Sequence, residues 1–175
     1  MPVKLQGATA LRKALAVVEP TLAKETSKEI ASFLKPVVNN ARGFLPSNEE
    51  APSNWLKRPN AQGRWANRAY DFQEARKGIT FKSSPSKANR RGFVALASIF
   101  NKSAAGAIYE TAGRKSGNTG NFTPRLGGQL TGKGQKMTGR AIFRAFEDDR
   151  GKAQDGVVKA IFKAKDKFDS MKDKV

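Results

Sequence analysis

Helical periodicity is confined to the two ends of this chain, and that separation is the strongest limit on what it can fold into. From Ala8 to Ala41 the apolar positions Leu11, Leu15, Val18, Leu22, Ile30, Phe33, Leu34, Val37 and Val38 mostly recur at three- and four-residue steps, the spacing of one helix face. Glu19-Pro20 interrupts the pattern, because proline has no N–H to donate and disfavours helix at the residue before it. The sequence therefore predicts a short helix to about Val18 and a second with Pro20 in its first turn. Pro36 should disturb the last turns of that helix, and Asn39-Asn40 and Gly43 should mark its stop. At the other end, apolar packing resumes at Ala141–Phe146. Val157, Val158, Ile161, Phe162, Ala164 and Phe168 then predict a helix from about Asp149 to Asp169. Glu147, Asp148 and Asp149 at its start and Lys163, Lys165 and Lys167 toward its end suit the helix dipole.

The middle is different. Residues 44–68 are punctuated by Pro46, Pro52 and Pro59 and hold both tryptophans, Trp55 and Trp65, which are expected to anchor this loop on the body or on a neighbouring subunit. Gly78–Lys82 reads as a short strand, Ser83–Arg91 as a polar, basic turn and Gly92–Phe100 as a longer strand, the two strands forming a hairpin; Ala105–Thr111 is a third candidate strand. Residues 113–139 contain 8 of the 16 glycines and almost no bulky apolar side chain, so they read as a flexible basic arm. The expected fold is α+β: a long N-terminal helix and a C-terminal helix packed on a small antiparallel β-sheet, with long loops. One domain over residues 1–175 is expected, carrying the Pro/Trp-rich loop at 44–68 and the Gly-rich arm at 113–139.

The chain has no cysteine and no histidine. Disulfides, thiol nucleophiles, Cys/His zinc sites, Ser-His-Asp triads and imidazole acid–base chemistry are thereby excluded together. Gly127 to Gly134 fits the phosphate-loop pattern as far as Lys133, but Gly134 stands where a Ser or Thr must hold magnesium, and no buried strand leads in. Asp148-Asp149, Asp166, Asp169 and Asp173 lie among many lysines and read as solvated helix faces. No catalytic residue, cofactor or metal is expected, and the chain does not read as an enzyme. No stretch approaches the roughly 20 apolar residues of a membrane span, and the first seven residues lack the apolar run of a signal peptide. No membrane contact is expected, and composition alone suits a protein made and used in the cytoplasm.

Charge carries the remaining information. The 33 Lys and Arg outnumber the 15 Asp and Glu, for a net +18. Residues 51–144 hold 18 basic and only 3 acidic side chains (Asp71, Glu74, Glu110), while both ends are nearly balanced. Such concentrated charge favours polyanions through counterion release. The side chains expected to face DNA or another acidic surface are Arg64, Arg68, Lys87, Arg90, Arg91, Lys102, Arg114, Lys115 and Arg125. Arg64, Trp65, Arg68 and Tyr70 also interleave cations with aromatics, as single-strand-binding loops do.

The order of these features resembles the neck and tail-completion proteins of long-tailed double-stranded DNA bacteriophages. In that family a long N-terminal helix ends in a basic Ala-Arg step and a proline, here Asn39-Asn40-Ala41-Arg42-Gly43-Phe44-Leu45-Pro46. A β-meander follows, then an aromatic–Glu step before a glycine, here Gly106-Ala107-Ile108-Tyr109-Glu110-Thr111-Ala112-Gly113. A closing helix that packs beside the first corresponds to Gly156–Phe168. Glu110 stands out as a lone acid in a basic stretch; its plain reading is a strand-end ion pair with Arg114.

The resemblance implies a structural virion protein: a subunit of a head-tail connector, or of the ring that completes the tail, around the DNA channel. Implied partners are further copies of the chain in an oligomeric ring, a hexamer being the first number to consider, neighbouring neck and tail proteins, and phage DNA in the lumen. The implied location is the virion, after synthesis in the host cytoplasm. Trp55, Trp65, Phe100, Tyr109 and Glu110 are the expected subunit-interface residues. The alternative is a stand-alone basic nucleic-acid-binding protein.

Overall fold

Proline and glycine set the helix ends. In the computed structural model, which describes residues 7–51, 55, 69–114, 126, 130–132 and 138–172, α1 (Ala8–Val18) stops at Glu19 and α2 (Pro20–Gly43) begins on the proline. A first helical position suits proline, since its missing N–H has no intrahelical partner there. Pro36 does not end α2, which continues to Gly43. The elements that follow are α3 (Phe72–Gly78), β1 (Ile79–Lys82), β2 (Ser98–Asn101), α4 (Ala104–Thr111), β3 (Thr131–Gly132), β4 (Thr138–Gly139), α5 (Ile142–Asp148) and α6 (Lys152–Lys172). β1 is bonded to β2, and β3 pairs antiparallel with β4 in the register Thr131–Gly139 and Gly132–Thr138. The fold class is α+β, with long helices and very little sheet.

Three local expectations are corrected. Residues 104–111 form a helix, not a third strand: the Ser103 hydroxyl accepts from the Gly106 N–H at 2.9 Å, a side-chain N-cap, and the alanines that follow are good helix formers. The second strand begins only at Ser98, because the backbone from Phe93 to Ala95 is already bonded into the preceding turn, Asn89 N–H to Phe93 O at 3.0 Å and Ser86 N–H to Ala95 O at 2.8 Å. The C-terminal apolar run is two helices, broken where Arg150 (φ 52°) and Gly151 (φ 85°) take left-handed backbone. Within the glycine-rich arm, β3 and β4 are paired and Leu126 is buried; its other described residues are 113, 114 and 130.

The contacts divide the chain into two compact units. The first comprises residues 1–35, 81–98 and 151–175, and the second residues 36–80 and 99–150. The first unit is built on α1, the N-terminal part of α2, and α6. Leu15, Leu22 and Ala164 form its buried cluster, with Leu11, Ala23 and Phe168 packed around them. The face that α6 buries is a seam of small residues, Ala153, Gly156, Ala160 and Ala164, together with Ile161. Phe162 is left 51% exposed, although it belongs with Ile161, Ala164 and Phe168 to the apolar residues whose recurrence predicts one side of this helix. The partner helix decides this: Phe33 of α2 sits so close over Gly156 that an added Cβ would fall 2.3 Å from the ring. Surface pairs Lys163–Glu29 at 3.0 Å and Lys167–Glu25 at 3.2 Å flank the seam. Such exposed pairs contribute roughly 0–1 kcal/mol each, so the seam, not the ion pairs, sets the helix spacing.

The second unit contains the C-terminal part of α2, α3, α4, the β3–β4 pair and α5. Arg42 donates to the Ile79 carbonyl at 2.8 Å, tying the end of α2 to β1. Asp71 caps α3 by accepting from the Glu74 N–H at 2.7 Å. Tyr70, 2% exposed, donates its hydroxyl to the Pro46 carbonyl and stacks at 5.0 Å on Trp55. Trp55 thus packs on its own chain, while Trp65 lies outside the described residues.

The seam yields a direct test. Gly156→Ala is expected to cost about 1–3 kcal/mol in thermal or urea unfolding, since a ring and not a flexible chain end must give way. Gly43→Ala, where nothing lies within 4 Å of the added methyl, should be neutral or slightly stabilising. Equal stability of both variants would mean that α2 and α6 are not in tight contact.

Candidate functional site

Two arrangements in the described residues go beyond ordinary packing, one in each unit. In the second unit, Glu110 is buried on α4 and not at the end of a strand. Its Oε2 accepts from the N–H groups of Ala141 at 2.8 Å and Ile142 at 3.0 Å, and its Oε1 from that of Phe143 at 3.0 Å. These are the first N–H groups of α5, a helix with no side-chain cap of its own. A carboxylate from thirty residues away thus satisfies the orphan donors and sits at the positive end of the helix dipole. The carboxylate comes so close to Gly139 that a Cβ there would lie 1.9 Å from Oε1, so β4 must carry glycine at that position.

The return contact comes from the residue just before α5. Arg140, 4% exposed, donates to the carbonyls of Tyr109 at 3.0 Å and Ala112 at 2.6 Å, the C-terminal end of α4. Burial pulls its guanidinium below the ordinary value, and neighbouring Tyr109 and Glu110 oppose that shift. The two helices therefore cap one another, a carboxylate on the N-terminus of α5 and a guanidinium on the C-terminus of α4. Tyr109 is buried between, its ring 5.9 Å from Arg140 and its hydroxyl 3.3 Å from the Phe44 carbonyl. Burial raises the pKa of this phenol.

Arg114, expected to pair with Glu110, instead donates through Nε to the Thr138 carbonyl and stands over the Phe143 ring at 5.1 Å. Arg144 lies over Phe44 at 4.1 Å. Several cations of the basic stretch are therefore engaged with the chain's own carbonyls and rings. Lys102 remains exposed, with its ammonium 6.0 Å from the ring of half-buried Phe100.

In the first unit, residues 83–97 form a loop closed at both ends. At its base Arg12 of α1 donates to the Leu96 carbonyl at 3.0 Å, to the Ser83 carbonyl at 2.6 Å and to the Ser27 hydroxyl at 3.2 Å. At its tip the Asn89 side-chain oxygen accepts from the N–H groups of Arg91 at 2.9 Å and Phe93 at 3.0 Å. Gly92 makes the turn with φ 72°. Lys87, Arg90 and Arg91 are exposed on this loop, beside Phe93 at 45% exposure. A fixed loop presenting three cations and one aromatic ring has the chemistry to meet a polyanion.

Of the residues expected to meet a polyanion, the structure groups Lys87, Arg90 and Arg91 on this loop, leaves Lys102 at the surface of the other unit and turns Arg114 inward. Arg64, Arg68, Lys115 and Arg125 lie outside the described residues. Of the expected interface residues, Trp55, Tyr109 and Glu110 are buried within the chain and Phe100 is half-buried. Sequence reasoning missed Arg12, Asn89 and Arg140. Arg12 left one signal: it stands four residues after Ala8, where the inward stripe of α1 would carry an apolar side chain.

Among the described residues there is no group of three or more Asp or Glu able to hold a metal, and no helix long and apolar enough to cross a membrane. Of the phosphate-loop-like stretch, Thr131-Gly132 is strand β3; residues 127–129 and 133–134 lie outside the described residues. Compared with protein-family models, with curated proteins and with solved structures, the chain matches none.

Removal of the reciprocal cap should be measurable. Glu110→Ala is expected to lower stability by about 2–4 kcal/mol in urea unfolding, because three N–H groups lose a charged acceptor. Glu110→Gln should fall between Glu110→Ala and wild type, since one of its two oxygens becomes a donor facing other donors. A change below about 0.5 kcal/mol for Glu110→Ala would mean that water replaces the carboxylate without loss.

Proposed function

We propose that this chain is a structural subunit of a ring in the neck or tail-completion complex of a long-tailed double-stranded DNA bacteriophage. The observation that carries the reading is the place of the Tyr109-Glu110 step. The resemblance turns on this step, and in the fold it joins α4 to α5 just ahead of the closing helix α6. A closing helix that runs beside the first helices, along the seam of Ala153, Gly156, Ala160 and Ala164, supports the same reading.

In this proposal the work is assembly, with no turnover. Copies close into a ring between head and tail, and the loop carrying Lys87, Arg90 and Arg91 faces DNA in the lumen or an acidic surface on an adjacent ring. The protein resides in the virion. One observation favours a second reading, a stand-alone nucleic-acid-binding protein: the exposed ring of Phe93 beside Arg90 and Arg91 offers stacking as well as charge.

Light scattering across a concentration series, at low and high salt, separates the two. The ring reading expects a discrete closed multiple, near six or another ring number, that persists in high salt. A monomer at every concentration that binds DNA with a steep salt dependence would favour the second reading. In that case Arg90→Ala with Arg91→Ala should abolish DNA binding without lowering the melting temperature, as both side chains are exposed.

A further inference from the structure

The first unit contains an open cleft of about 600 Å³ between α1, α2 and the stem of the 83–97 loop. Leu15, Ala23 and Val94 give it an apolar floor, and Arg12, Lys13 and Lys87 line it with positive charge. Among the described residues no carboxylate lines it. Arg12 is the telling member. Among the described residues its hydrogen bonds go to three neutral oxygens, and burial pulls its pKa down. A half-buried guanidinium with neutral partners leaves a local positive potential that a carboxylate would satisfy. The cleft therefore suits a ligand with an apolar body and a negative charge.

The same chain carries such a feature in its other unit. At the end of α5, Phe146 is 42% exposed and is followed by Glu147 and Asp148, both exposed and neither in an ion pair among the described residues. Expected at the start of the last helix, these acids instead occupy the last turn of α5, where the dipole is negative and disfavours them. A cation supplied from elsewhere would relieve that repulsion. Nucleic acid fits the cleft less well, because the floor is aliphatic and offers no ring on which a base could stack.

We propose that the cleft of one copy receives the Phe146–Asp148 end of α5 from a second copy. Donor and acceptor are different surfaces, so a contact used once per pair is heterologous: the pair keeps one free cleft and one free α5 and can add copies until a ring closes. The contact deepens the ring reading and rests on it, supplying the surfaces that such a ring would use.

The test is a charge swap on exposed side chains, which spares the Arg12 tie. Four full-length proteins are compared by sedimentation velocity over a concentration series: wild type, Lys13→Glu with Lys87→Glu, Glu147→Lys with Asp148→Lys, and all four changes in one chain. Each one-sided reversal should weaken self-association by at least about tenfold, and the fourfold variant should recover most of it. Circular dichroism and melting check that each variant is folded. Wild-type assembly indifferent to either reversal would overturn this contact while leaving the ring reading intact. Loss on both sides without recovery in the fourfold variant would also overturn it. A wild type that never assembles removes the ring reading and this contact together. If the cleft reversal weakens DNA binding but not self-association, the cleft is a nucleic-acid site and the proposal fails.

Discussion

The second unit depends on one exchange of charge. Glu110 holds the N-terminus of α5, and Arg140, immediately before α5, holds the C-terminus of α4. Neither helix is long: α4 has 8 residues and α5 has 7, lengths that are unstable in isolation because nucleation costs are spread over few hydrogen bonds. Local propensity cannot hold them. Each instead has its orphan backbone groups satisfied by a charged side chain from the other's neighbourhood, so the two form together. The demand for glycine at 139 follows, since the carboxylate needs the space a Cβ would take.

That exchange also changes what the basic composition means. A net +18 invites the reading that every cation waits for an external polyanion. Arg42, Arg114, Arg140 and Arg144 do otherwise, donating to carbonyls or covering aromatic rings inside the second unit. Arginine suits this work because its planar fork can serve several acceptors and stay charged when partly buried. Among the described residues, the cations of the 83–97 loop have no such internal task. The loop is tied at its base by Arg12 and at its tip by Asn89, so Lys87, Arg90 and Arg91 project from a defined frame. Charge that is both exposed and held in place can support recognition; charge counted from composition cannot be assigned that way.

What could be read in the sequence was whatever a single residue dictates to its neighbours. Pro20 alone separates α1 from α2, and both helices fall where periodicity and proline chemistry put them. Residues 104–111 were misread because Ala-Ala-Gly-Ala-Ile-Tyr carries no period, and a cap at Ser103 decides the matter. On α6 only Phe162 departs from the expected side: Ile161 and Ala164 are buried and Phe168 packs on the core, and the close approach of Phe33 adds Gly156 to that face. Glu110 stands out in the sequence as a lone acid in a basic stretch, but its partners are three N–H groups more than thirty residues on. No spacing rule reaches that far. Arg114, nearer in sequence, was the natural partner to expect.

The placement of acid in this chain supports reading its surfaces as complementary. In the basic stretch, Asp71 and Glu110 each cap a helix, so two of its three carboxylates are already engaged. The next acids along the chain, Glu147 and Asp148, are exposed at the electrically unfavourable end of α5 beside an exposed phenylalanine. At the end of α5 that arrangement costs up to about 1 kcal/mol per charge. In the other unit, a cationic cleft is floored with aliphatic side chains and has no acid in its lining. In the proposed contact each surface would meet the opposite charge of the other. Surfaces matched in this way are what the proposed head-to-tail contact would join.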